Sequence, residues 1–129
     1  MVMKKDYSLN RFNWQVEAIW YKKEVTDDGV RALERELEDR GCPKSKIKEM
    51  ISLVENGNVN SASVYSDCSD RKSIMIIGNT TSDSELVNSI THEIIHLSRH
   101  IKHCGNPESL AQELGDFAGD LYYDISNSD

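Results

Sequence analysis

No stretch of the chain approaches the roughly 18 consecutive apolar residues that a membrane-crossing helix needs, so no membrane partner is expected. The opening Met1-Val2-Met3-Lys4-Lys5-Asp6-Tyr7 is not followed by an apolar run of about seven or more, so no secretory leader is expected. Cysteine is scarce: Cys42, Cys68 and Cys104 are odd in number, far apart and without a Cys-x-x-Cys pair. That usage predicts no disulfide framework, a reducing compartment and hence a cytoplasmic protein. Repeats and low-complexity tracts are absent. Positive charge is in deficit, and a formal charge of −7 argues against nucleic acid or an anionic membrane surface as the main partner.

What remains is an ordinary globular chain. Its 129 residues fit one domain, 1–129, with one modest core. Apolar residues make up 38% and charged residues 29%, a balance that folds rather than one that stays disordered.

The segment Asn13–Glu24 alternates loosely and is rich in aromatic and β-branched residues, which predicts a strand. Thr26 reads as the N-cap of a helix bearing Val30, Leu33 and Leu37, ended by Gly41. Pro43 suits the first turn of a second helix carrying Ile47, Met50, Ile51 and Val54, which stops at Asn56-Gly57. Strands are expected over 60–66 and 72–77, the second nearly continuous in apolar residues and therefore buried. Ser82 and Glu85 form a capping-box pattern that opens a helix running to about His103, with Gly105 as its stop. Asn106-Pro107 restarts a last helix reaching Tyr122 or beyond. The expected order is β-α-α-β-β-α-α, an α+β domain with a small sheet.

His92-Glu93-Ile94-Ile95-His96 carries the chemistry. Two histidines four residues apart on a helix project from one side, so both imidazoles can reach one metal ion. The glutamate between them can then deprotonate an attacking water. Leu86, Ile90, Ile94, Leu97 and Ile101 form an apolar stripe, with His92 and His96 roughly opposite. A zinc site with three protein ligands needs one more. His100 and His103 lie one to two turns beyond His96 and read as cleft-edge residues, while Cys104 reads as a small half-buried hydrophobe. The last helix offers Glu108 and, as the alternative, Glu113. Glu113 shares a flank with Asp116, Asp120 and Asp124, an acidic solvated face. Glu108 lies beside Ala111, Gly115 and Gly119, whose small side chains permit close approach to another helix.

At this point the chain resembles the glutamate zincins, the thermolysin-like branch of zinc metallopeptidases, in which a second helix supplies Glu-x-x-Ala. Glu108-Ser109-Leu110-Ala111 fits that shape. The span 72–123 is similar also to short HExxH proteins of phages and mobile elements of gut bacteria. The metzincin branch is excluded, because Arg99 and Lys102 stand where its Gly and His belong. The resemblance implies a minimal zincin-like domain, a small β-sheet with an HExxH helix and a following C-terminal helix. It implies Zn2+ held by His92, His96 and Glu108, with Glu93 as general base hydrolysing a peptide or protein substrate. It also implies that the strand Ser73–Ile77 pairs with an extended substrate. The chain departs from the pattern at Gln112, where the larger enzymes often carry an acidic residue, and in the short gap between His96 and Glu108. The alternative reading is a non-catalytic, zinc-braced or partner-binding protein on the same fold.

Overall fold

The computed structural model describes residues 2–21, 27–56, 62–78, 82–105 and 111–128. Within them the chain is a mixed α+β domain with one four-stranded sheet between two helical layers.

Strand β1, Val2–Leu9, runs through a 3₁₀ turn at Asn10–Phe12 into β2, Trp14–Tyr21, its antiparallel partner. Asn13 closes that turn at φ 51°, a left-handed conformation that Asn tolerates better than most residues. The polar run Lys4-Lys5-Asp6 interrupts any apolar pattern, so β1 was not expected. It forms because pairing with β2 satisfies its backbone while Tyr7 and Leu9 reach the core.

Helices α1, Asp27–Asp39, and α2, Lys44–Asn56, follow as expected from their apolar spacing. Thr26 and Gly57 lie outside the described residues, but Gly41, at φ +78°, makes the turn between the helices. Strand β3, Ala62–Asp67, then pairs antiparallel with β4, Lys72–Ile77. Strand β4 also lies parallel to β2, giving the order β1-β2-β4-β3. A parallel pair needs a long crossover, which α1 and α2 supply.

Helix α3, Asp83–His103, begins at Ser82, whose hydroxyl accepts from the Glu85 N–H. Helix α4, Ala111–Ser126, ends the fold. Residues 106–110 lie outside the described residues.

The sheet divides the core in two. On one face Trp14, Val16, Ala18 and Trp20 meet Leu97 and Ile101 of α3 and Leu114, Phe117 and Leu121 of α4. On the other, Ile19, Ile74 and Ile76 meet Leu33, Leu37, Met50 and Val54 of α1 and α2. Apolar side chains on both faces explain why β4 reads as a nearly continuous hydrophobic run. No helix among the described residues is long and apolar enough to cross a membrane.

Two sequence expectations are corrected. Strand β4 cannot accept an extended substrate, because it is paired on both sides; β3 has the free outer edge. Cys68 and Cys104 are not free. They form a disulfide with Cα atoms 5.3 Å apart, which ties the β3–β4 turn to the C-terminal end of α3. Only Cys42 remains a thiol, buried beneath α1 and α2, and burial raises its pKa.

Candidate metal centre on helix α3

Helix α3 is rotated from the attitude its apolar stripe implies. Its buried face runs through Leu86, Ser89, Ile90, Glu93, Leu97 and Ile101, whereas Ile94 is only half-buried. The rotation turns the histidine flank toward the sheet edge and takes Glu93 into the interior, where it is 3% exposed. His92 stays at the surface, and His96 is half-buried.

The imidazoles converge. Nε2 of His92 and Nε2 of His96 are 3.2 Å apart, with ring centroids at 4.8 Å. Glu93 Oε1 is 4.0 Å from His92 Nε2, and ligand atoms of all three residues lie within 4.8 Å of one another. A carboxylate this buried normally has hydrogen-bond partners. Among the described residues, no enclosed side-chain nitrogen or oxygen is left without a partner. Burial raises its pKa, opposed in part by the neighbouring His92 and Lys46.

Two imidazole nitrogens aimed at one point, beside a carboxylate, are a donor set that suits zinc. Glu113 is outside this group among the described residues. Glu108 lies outside the described residues. Gln112 turns to solvent and donates to Asp116 at 3.1 Å.

The acidic flank expected on α4 is not uniformly solvated: Asp124 accepts hydrogen bonds from Lys5 Nζ at 2.8 Å and from the Tyr7 hydroxyl at 2.7 Å. These bonds, that of Lys5 first, hold its pKa below the ordinary carboxylate value.

A polar chain beneath α3 was not legible in the sequence. The Trp14 indole N–H donates to Ser73 Oγ at 2.9 Å. Ser73 Oγ is 2.7 Å from Ser66 Oγ, which is 2.7 Å from His100 Nδ1. The four side chains form one hydrogen-bonded chain from Trp14 through both serines to His100 Nδ1. Burial, assisted by the charges of His96, Lys46 and His103, lowers the His100 pKa and favours the neutral ring. The signal that could have found this relay is register: Ser66 and Ser73 are directly opposed across the β3–β4 pair.

In comparisons with protein-family models, curated proteins and solved structures, nothing matches the chain.

Proposed function

We propose that the protein is a zinc-dependent hydrolase of peptide bonds, with His92 and His96 as ligands and Glu93 as general base. The observation that carries this reading is the convergence of the two Nε2 atoms at 3.2 Å beside the buried Glu93 carboxylate. A metal brace alone has no use for a buried carboxylate next to its histidines, since burying a carboxylate costs stability. Glu108 is the proposed third ligand, from its place in Glu-x-x-Ala.

Bound zinc would supply a Lewis acid that polarises the scissile carbonyl and acidifies water. The chain's own groups do the rest. Helix α3 fixes both imidazoles on one side, four residues apart, so little ordering is needed to bind the ion. Glu93, its pKa raised by burial, is a stronger base than a solvated carboxylate and accepts the proton of the attacking water. It can return that proton to the leaving amine. The substrate backbone would lie along the outer edge of β3, the free edge nearest α3. The Cys68–Cys104 disulfide suits a compartment that sustains disulfides better than the cytoplasm.

Elemental analysis of untagged protein tests the reading, comparing wild type with His96→Ala and Glu108→Ala. The expected result is about one zinc per chain, lost in both variants. A peptide screen with Glu93→Gln as control should then show cleavage by wild type alone. Wild-type protein that stays empty when zinc is added overturns the proposal, and active Glu93→Gln overturns the role of the base.

A further inference from the structure

Past the histidine pair, α3 borders a second feature that the hydrolytic reading does not use. A cleft of about 590 Å³ wraps the outer edge of β3. Val64 and Tyr65, on opposite faces of the strand, give its apolar lining, and Arg99, His100 and His103 of α3 line it as well. Lys46 of α2 faces them. Among the described residues no carboxylate lines it, in a chain whose formal charge is −7. Asp67 and Asp70 of the hairpin turn border the neighbouring cleft beside Arg40 instead, and Asp67 Oδ1 is occupied by the N–H groups of Ser69 and Asp70.

The charged groups in the cleft, Arg99 and Lys46, are donors only. Arg99 has no carboxylate within salt-bridge distance among the described residues. Lys46 has one exposed partner, Glu49 at 3.3 Å, a solvated contact that a ligand can displace at small cost. Ser66 Oγ holds His100 through Nδ1, at 2.7 Å. Guanidinium and ammonium beside an apolar lining complement a carboxylate.

The cleft also has a defined distance from the candidate zinc site. His100 and His103 are four and seven residues beyond His96, about 6 and 10 Å along the helix. An extended peptide covers that in about two or three residues. We infer that this cleft binds the carboxylate of an extended peptide, two or three residues from the bond to be cut, and so selects acidic substrates. As a statement about substrate choice this rests on the hydrolase reading; as a statement about carboxylate binding it does not.

The test uses four fluorescent hexapeptides of alanine and threonine with either Glu or Gln at the fourth position, each as free acid and as C-terminal amide. Binding is measured by anisotropy on zinc-free protein, with Arg99→Ala, Lys46→Ala and the charge reversal Arg99→Glu. The Glu peptides should bind about tenfold more tightly than their Gln partners. Either alanine variant should erase most of that preference, and Arg99→Glu should invert it. A preference for free acid over amide, without a Glu preference, assigns the cleft to a peptide C-terminus and still supports carboxylate binding. Equal binding of all four, no binding, or a preference unmoved by the variants overturns the inference. Parallel zinc titration separates the two readings. Zinc binding with neither a Glu nor a free-acid preference sinks the cleft alone, and either preference without zinc binding sinks the hydrolase alone.

Discussion

Cys68 and Cys104, 36 residues apart in sequence, are joined in the fold, so the turn after β3 cannot move away from the end of α3. The bond closes a loop containing β4 and all of α3, including the candidate metal site. Closing a loop of this length typically stabilises a small domain by about 2–4 kcal/mol, mainly by restricting the unfolded chain. Cys68→Ser/Cys104→Ser should lower the unfolding free energy by that amount in urea titration. Wild type in strong reductant should approach the double variant. Thiol titration should find no rapidly reacting group in the native oxidised protein and one, Cys42, after denaturation.

Arg40 and Glu17 predict a larger loss from a single change. Glu17 sits on β2 at 2% exposure, and Arg40 reaches it with Nη2 at 2.6 Å and with Nε. Arg40 also contacts Glu36, at 3.1 Å. Arg40→Ala would leave a buried carboxylate without its partner, and should cost about 3 kcal/mol. Replacing both, as Glu17→Leu/Arg40→Met, should recover most of that loss in thermal or urea unfolding. An Arg40→Ala protein as stable as wild type would show that water compensates Glu17.

The pattern-bearing parts of the fold were open to sequence reading. Helices α1, α2 and α3, with Gly41 and Gly105 as stops, and the buried β4 follow from apolar spacing and caps. The pairings that depend on distant partners were not. Strand β1 is polar along much of its length and exists because β2 offers an edge. The disulfide needed the knowledge that a hairpin turn meets a helix end. The rotation of α3, which buries Glu93 in place of Ile94, depends on how β3 and α4 together fill the space beneath it. His92 and His96 were legible because both sit on one helix, four residues apart; their third partner must come from another element, and periodicity does not say which.

At Asp124 the sign of the pH effect is fixed. Its pKa is depressed in the folded protein by hydrogen bonds from Lys5 and Tyr7. The resulting stability is present above the unfolded-state value, about 3.9, and is lost as pH falls through the lower folded value. Asp124→Asn should therefore destabilise at neutral pH and converge with wild type in acid. Tyr7→Phe, which removes one part-buried hydrogen bond, should cost about 1 kcal/mol at neutral pH. A pH-independent deficit in Asp124→Asn would assign the effect to packing.

Glu93 should show the opposite sign, which separates it from Asp124 within one set of denaturation curves. Burial raises its pKa, so the metal-free folded protein holds that proton more tightly than the unfolded chain does. The favourable contribution is present below the unfolded-state value and disappears as pH rises through the folded value. Above that range the protein carries a desolvated carboxylate. Glu93→Gln keeps the shape and removes the charge, so the metal-free variant should match wild type in mild acid and exceed it at about pH 8. Zinc should reverse the practical meaning of this gain. The variant should keep the metal, since the ligands are untouched, and lose hydrolysis. If Glu93→Gln were instead less stable than wild type at about pH 8, Glu93 would be satisfied in the folded chain and would be a structural carboxylate rather than a base held ready.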